Sequence, residues 1–283
     1  MLNLLAEGQY KKKLISIVIL LFLGLNSNAQ KGSFVETNGV KIYYEIHGEG
    51  EPLLLLHGFT ISGKSWAPWI KDLSKDHQLI IPDLRGHGNS TNPSKAFTHK
   101  MAAIDMYGLM DHLKIDRFQA MGQSSGAMTL IQMATMDSSR ISSMILVAGT
   151  SFFPKETRDF LSGVSYETYH GSSTYMKALH PRGEEQIRMI LKQWSDMSES
   201  YDDMNFTAPF LSTIRCPTLI IHGDRDSFFP VDIPVSIYQA IPKSYLWIVP
   251  NAGHIPAGVY DRKSIWSDIL FKVVTDFFGG NWK

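Results

Sequence analysis

The chain has 283 residues, of which 44% are hydrophobic and 19% are charged. This composition is typical of a globular protein and excludes a disordered one, because a disordered chain is less apolar. The 27 Lys and Arg residues balance the 27 Asp and Glu residues, so no excess cation is available to neutralise a nucleic acid. Cys216 is the only cysteine in the sequence, which excludes an intramolecular disulfide and a multi-cysteine zinc site.

The N-terminal segment has the parts of a secretory signal peptide. Three lysines at 11–13 precede the apolar run 14–25, and a short stretch with small residues follows up to Ala29. This pattern predicts that residues 1–29 are cleaved off and that the mature chain spans 30–283. The alternative is a retained membrane anchor, but a helical span needs about 20 apolar residues. We therefore expect an exported protein, periplasmic or secreted, with no stable membrane span.

The mature chain begins with a hairpin and continues with alternating strands and helices. Period-two segments on either side of Asn38-Gly39 predict the hairpin. Short apolar runs then predict strands buried on both faces, as in a parallel sheet, at 53–56, 79–81, 118–121, 144–147, 218–221 and 246–249. Helical spacing of apolar residues is found at 98–113, 125–136 and 264–278. Together these elements predict an α/β sheet with helices on both faces.

The alternation is interrupted between residues 149 and 214, where no strand-like run occurs. A structureless loop of that length is improbable in a compact domain, so a helical insertion is expected at 151–213. Residues 30–150 and 214–283 would then form the core domain around it. The insertion is rich in aromatic residues, which would either form its own small core or cover a pocket.

The sequence Gly122-Gln123-Ser124-Ser125-Gly126 follows a predicted strand and begins a predicted helix. A Gly-x-Ser-x-Gly segment in that setting is typical of a nucleophile elbow. The tight turn places the Ser124 hydroxyl above the sheet, and the backbone N–H groups of the helix start face the same space. Ser124 is therefore the predicted nucleophile.

A serine nucleophile needs a base, and the base needs an acid to orient it. His254 follows the last predicted strand and precedes the last helix, which is the position expected for the base. Asp224 and Asp226 both follow the strand at 218–221. Asp226 is the predicted acid because it lies further out on the loop, whereas Asp224 has an alternative role as a turn residue or as a partner of Arg225.

Two backbone N–H groups are expected to stabilise an oxyanion. One belongs to Ser125, and the second is assigned to Phe59, in the loop after the strand at 53–56. Gly58 allows that loop to turn close to a substrate, and His57 is expected to have a structural role there. Aromatic residues near these positions predict a site for an apolar acyl or aromatic group: Phe59, Phe228 and Phe229.

In their order along the chain, these motifs resemble those of the α/β-hydrolase superfamily over residues 33–280. The matching segments are His57-Gly58-Phe59, Asp83-Leu84-Arg85-Gly86-His87-Gly88-Asn89-Ser90, Gly122-Gln123-Ser124-Ser125-Gly126, Gly223-Asp224-Arg225-Asp226 and Gly253-His254. The resemblance implies an eight-stranded, mostly parallel sheet with a helical cap after the sixth strand, the slot that 151–213 matches. Serine at position 124 argues against dehalogenases and epoxide hydrolases, which form their ester on a carboxylate.

The expected activity is that of a serine hydrolase resembling the carboxylesterases, which acts on a small-molecule ester or related acyl substrate without a metal or organic cofactor. Ser124 would form the acyl-enzyme, His254 would be the base and Asp226 the acid. Acyl transfer and hydrolysis of a carbon–carbon bond by the same triad remain alternatives, as does a ligand-binding receptor without turnover. A proline-specific peptidase would need acids for a free amino terminus; Glu184 and Glu185 are candidates, although adjacent acids are more typical of a solvated helix face.

Overall fold

The fold is described from a computed structural model, which covers residues 32–169 and 173–282. The predicted signal peptide at 1–29 lies outside this range. Within the range, no helix combines the length and the apolar character that a membrane crossing would require.

The described residues form an eight-stranded sheet with the strand order β1-β2-β4-β3-β5-β6-β7-β8. Its strands are β1 Ser33–Thr37, β2 Val40–His47, β3 Glu51–Leu56, β4 His77–Pro82, β5 Phe118–Gln123, β6 Ile141–Val147, β7 Thr218–Gly223 and β8 Ser244–Val249. The pairs β1–β2 and β2–β4 are antiparallel, and the others are parallel. The expectation of a mostly parallel sheet after an antiparallel hairpin is confirmed.

The α-helices of the described residues are α1 Ala67–Leu73, α2 His99–His112, α3 Ser125–Met136, α4 Lys155–Ser162, α5 Ser173–Leu179, α6 Glu184–Asp196, α7 Ala208–Leu211, α8 Asp232–Ala240 and α9 Ser267–Phe278. Short 3₁₀ turns occupy Gly63–Trp66, Ser138–Arg140, Met197–Glu199 and Pro256–Gly258. The helices α1 and α8 were not predicted from the sequence. Each is short, so the apolar period repeats too few times to be recognised.

Alternate side chains of the central strands are buried on opposite faces of the sheet. In β3, Leu54 and Leu56 belong to the apolar cluster that includes residues of α2 and α3. Leu53 and Leu55 belong to the cluster that includes residues of α1 and α9. This double burial explains why the central strands are nearly continuous apolar runs. Strand β8 departs from the expectation of burial on both faces: five of its six residues are partly exposed, because it pairs with β7 alone, at the sheet edge.

Residues 151–213 hold α4 to α7, and their described part contains no strand beyond an isolated bridge between Phe152 and Asn205. Gln186 of α6 fastens this segment to the core. Its side-chain amide donates 2.8 Å hydrogen bonds to the carbonyl oxygens of Gly86 and Gly88. The segment therefore packs against the loop that follows β4, near the carboxyl ends of the strands.

Candidate active site

Ser124 lies in the turn between β5 and α3. Its backbone has φ 52° and ψ −117°, a combination that residues with side chains rarely adopt. A Cβ atom at Gly122 would meet the backbone of Gly126, and one at Gly126 would meet the carbonyl oxygen of Leu56. Because neither position has room for a side chain, the strand and helix can approach closely, and the turn raises the Ser124 hydroxyl at the sheet edge.

The structure brings Ser124, His254 and Asp226 into one hydrogen-bonded chain. His254 Nε2 lies 2.9 Å from Ser124 Oγ, and His254 Nδ1 lies 2.8 Å from Asp226 Oδ2. An ionised carboxylate only accepts hydrogen bonds, so Nδ1–H donates to Asp226. In the neutral ring, Nε2 is then left to accept the hydroxyl proton of Ser124. This arrangement has the geometry of a serine nucleophile with an oriented base.

Asp226 is held as a carboxylate although its side chain is fully buried. Burial alone would raise its pKa, but His254, the N–H of Phe228 and the nearby His222 together outweigh burial and hold the pKa below its usual value. Its other oxygen accepts the backbone N–H groups of Phe228 and Phe229 at 2.8 and 3.1 Å. Asp224 has a different role: it accepts the N–H of Ala252, which fixes the loop that carries His254.

The two predicted oxyanion donors lie on opposite sides of Ser124 along the chain. Ser125 directly follows the nucleophile and is the first residue of α3. Phe59 follows Gly58, whose backbone approaches Ser124 so closely that a Cβ on Gly58 would lie 3.5 Å from Ser124 Cβ. Among the described residues, no hydrogen bond engages the N–H of Phe59 or of Ser125. Both N–H groups are therefore free to bind an oxygen, with the N-terminus of α3 adding its dipole.

A hydrogen-bond network links the Phe59 loop to the base. Tyr260 Oη accepts the N–H of Gly58 at 3.1 Å and donates to Gln123 Oε1 at 3.0 Å. Gln123 Nε2 then donates to the carbonyl oxygen of His254 at 3.2 Å. Sequence reasoning missed both residues. Gln123 adjoins the nucleophile, and that position is a signal in the sequence. Tyr260 lies 137 residues away from Gln123 and carries no local signal.

His57 has two backbone partners and none of the catalytic contacts. Its Nδ1–H donates to the carbonyl oxygen of Gly58 at 2.7 Å, and its Nε2 accepts the N–H of Leu84 at 3.0 Å. Burial lowers the pKa of His57 to about 4. The neutral ring therefore joins the loop after β3 to the loop after β4, which is the structural role expected for it.

A cavity of about 500 Å³ opens beside Ser124 and His254. Its wall is mostly apolar, with aromatic side chains from the core and from the insertion: Phe59, Phe153, Tyr169, Tyr175, Trp194, Phe228 and Phe229. The three phenylalanines predicted as substrate contacts all lie on this wall. The Phe228 ring packs on His254 with 4.7 Å between centroids, so it covers the base from one side.

The described part of the cavity wall contains no Asp, Glu, Lys or Arg. Its polar atoms come from the catalytic residues and from uncharged side chains such as Thr60, Gln123 and Thr157. A wall of this kind favours a neutral, apolar ligand, because a buried charge without a partner is costly. Elsewhere among the described residues, no group of three or more His, Cys, Asp or Glu side chains is placed to hold a metal ion.

Comparison with known proteins agrees with the fold. The family model for the alpha/beta hydrolase fold matches residues 51–167 and 166–258. The chain is 28% identical over 230 residues to serine hydrolase BPHL of Mus musculus, covering 78% of this chain and 79% of that protein. It is 22% identical over 242 residues to 2-hydroxy-6-oxo-6-(2'-aminophenyl)hexa-2,4-dienoic acid hydrolase of Metapseudomonas resinovorans, covering 78% and 83%.

A solved structure of a hydrolase from Pseudomonas aeruginosa PA01 superposes with a TM-score of 0.72 at 20% identity, covering 89% of this chain and all of that one. The chain belongs to the alpha/beta hydrolase fold family, because the family model spans most of its length. The expected resemblance and fold class are thereby confirmed.

Proposed function

We propose that this protein is a serine hydrolase that cleaves carboxylic esters of neutral, apolar acids. The observation that carries the proposal is the unbroken chain from Asp226 through His254 to Ser124, which ends in an apolar cavity. Similarity to a serine hydrolase at 28% identity supports the same reaction class.

The proposed reaction follows from the positions of these atoms. His254 Nε2 takes the proton of the Ser124 hydroxyl as its oxygen attacks the ester carbonyl. The N–H groups of Phe59 and Ser125 stabilise the negative oxygen that forms. His254 then returns the proton to the leaving alcohol, and the acyl group remains on Ser124. A water molecule, deprotonated by the same base, releases the acid and restores the serine.

A second candidate is hydrolysis of a carbon–carbon bond, because two relatives are named for 2-hydroxy-6-oxo-dienoic acids. That substrate class carries a carboxylate, which needs a cation or several hydrogen-bond donors when it is buried. The described cavity wall offers neither Lys nor Arg. The composition of the wall therefore favours a neutral ester over such an acid.

The test is a panel of aryl esters in which the acyl chain ends either in a methyl group or in a carboxylate. We expect the neutral esters to have a kcat/KM at least about tenfold higher, because the acidic chain would leave a charge unpaired. Ser124→Ala is expected to abolish turnover while the circular dichroism spectrum stays unchanged. Turnover by that variant, or a preference for a ring-fission dienoic acid over every ester, would contradict the proposal.

A further inference from the structure

A second hydrogen-bonded series of serine, histidine and aspartate lies next to the first. Ser125 Oγ is 3.0 Å from His99 Nε2, and His99 Nδ1 is 2.6 Å from Asp203 Oδ2. The three residues come from three parts of the fold: Ser125 begins α3, His99 begins α2, and Asp203 belongs to the insertion at 151–213. We refer to them as the Ser125 series.

The carboxylate of Asp203 determines which nitrogen of His99 carries a proton. The carboxylate of Asp203 only accepts, so His99 Nδ1–H donates to it, and in the neutral ring Nε2 is left to accept the hydroxyl proton of Ser125. Burial alone would raise the pKa of Asp203. The His99 ring and the N–H groups of His99 and Lys100 outweigh burial and hold that pKa below its usual value. Each member therefore has one defined orientation.

The Ser125 series is closed to substrate, which distinguishes it from the catalytic triad. His99 is fully buried, and the whole of Ser125 is 1% exposed. The rings of Phe97 and Phe153 pack against His99 at 5.4 and 6.1 Å between centroids. A hydroxyl buried this way cannot reach the carbonyl carbon of a bulky ester as a nucleophile. Its remaining effect is on the position of Ser125 itself.

Asp203 also attaches the insertion to the core. Its carboxylate accepts the N–H groups of His99 at 2.8 Å and of Lys100 at 3.1 Å, at the N-terminus of α2, where a negative charge is favourable. Its backbone carbonyl accepts the side-chain amide of Gln132 from α3. Asp203 thus both bonds residues 151–213 to the core and, through His99, orients the Ser125 side chain.

We propose that His99 and Asp203 are positioning residues, which hold Ser125 so that its backbone N–H faces the oxygen of the reacting carbonyl. The inference rests on the proposed serine hydrolase activity. The proposal also connects the packing of residues 151–213 against α2 with the geometry of the oxyanion hole, because both depend on Asp203. Loss of a whole oxyanion donor costs about 10²–10³ in kcat, and a donor that remains but is poorly oriented is expected to cost part of that.

The first test removes only the hydroxyl of Ser125. Ser125→Ala keeps the N–H, and we expect kcat to fall about tenfold or more while KM changes less than about threefold, as for an interaction made only in the transition state. Ser267→Ala is the matched control: Ser267 is also a buried first residue of a helix, and its hydroxyl is bonded to Ala257. Unchanged kcat in Ser125→Ala, or an equal loss in the control, would overturn the proposal.

Two substitutions of His99 separate its two bonds. His99→Asn places an amide near the Nδ1 position, towards Asp203, and His99→Gln places one near the Nε2 position, towards Ser125. We expect kcat to fall as far in His99→Asn as in Ser125→Ala. The kcat of His99→Gln should be at least about threefold higher than that of His99→Asn. The reverse order would overturn the proposal.

Asp203→Asn completes the test through a double-mutant cycle with Ser125→Ala. Because Asp203 acts through Ser125 in this proposal, Asp203→Asn should lower kcat when Ser125 is present and have little further effect when alanine replaces it. Independent losses that multiply would mean that Asp203 acts elsewhere, which would refute the positioning role.

A readout without turnover separates this inference from the proposed function. The rate at which a fluorophosphonate labels Ser124 is expected to fall in Ser125→Ala and in His99→Asn, but not in Ser267→Ala. If the wild type is labelled yet hydrolyses no ester, the proposed ester substrate is wrong while the labelling rates still test the positioning. Labelling of Ser125 in a Ser124→Ala protein would show a second nucleophile and overturn the inference.

Discussion

Three buried histidines lie side by side next to the Phe59 loop. The rings of His57 and His87 are 5.4 Å apart between centroids, and those of His87 and His180 are 5.9 Å apart. His180 comes from the insertion; its Nε2–H donates to the carbonyl oxygen of Thr60 and its Nδ1 accepts the N–H of Gly88. Burial lowers the pKa of His57 and of His180 to about 4, and that of His87 well below its usual value.

These depressed pKa values make the fold sensitive to acid. An unfolded histidine takes up its proton near pH 6.5, whereas His57 and His180 stay neutral in the fold until about pH 4. The unfolded chain therefore binds more protons between these values, and stability is lost as the pH falls through that window. Each of the two groups is expected to make the free energy of unfolding about 2 kcal/mol lower at pH 5 than at pH 7.5.

Urea unfolding at pH 7.5 and at pH 5 measures this loss. His180→Gln removes one of the titrating groups, so its stability should fall by about 2 kcal/mol less than that of the wild type between the two pH values. Gln186→Ala is the control, since Gln186, like His180, bonds residues 151–213 to the loop after β4 but does not titrate. This variant should have a free energy of unfolding that is lowered equally at both pH values. An equal pH-dependent loss in wild type and His180→Gln would refute the reasoning.

Four further predictions concern the triad, the elbow, the core and export. Asp226→Asn should lower kcat by about 10⁴ in a folded protein, measured with a neutral aryl ester, because the base loses its orienting partner. Gly126→Ala should prevent formation of the elbow, since its Cβ would meet the end of β3; soluble yield and fluorophosphonate labelling measure this. Asp105→Ala should cost about 3–5 kcal/mol in urea unfolding, because Arg85 would be left buried without its ion pair. N-terminal sequencing of protein exported by an expressing bacterium should show cleavage after Ala29; an intact N-terminus would count against it.

Much of the fold could be predicted because its signals are local. The hairpin around Asn38-Gly39 has the left-handed φ angles, 45° and 74°, that these two residues adopt readily. The central strands are recognised from their apolar runs because both of their faces are covered. Strand β8 shows the limit of that rule. Its sequence is as apolar as the others, but only the sheet order shows that it lies at the edge.

The predicted site residues lie close together in the structure because they share one property of the topology. Parallel strands present their carboxyl ends at the same edge of the sheet, so loops after different strands meet there. A residue's place in the turn or loop that follows a strand, as for Ser124, Asp226 and His254, is therefore visible in the sequence. Tyr260 comes only after the 3₁₀ turn Pro256–Gly258, and Asp203 lies far from any strand, so their contacts depend on how that turn and residues 151–213 pack.

The two proposed oxyanion donors differ in what holds them. The Phe59 loop is fixed through Gly58 by Tyr260, which lies outside residues 151–213, whereas Ser125 is fixed through His99 by Asp203, which lies within them. An insertion that moved away from the core would take the carboxylate of Asp203 with it. The first donor would then remain in place while the second lost its support. Under the proposed mechanism, the reaction would be fast only when residues 151–213 pack against the core, which is also when the wall of the cavity is complete.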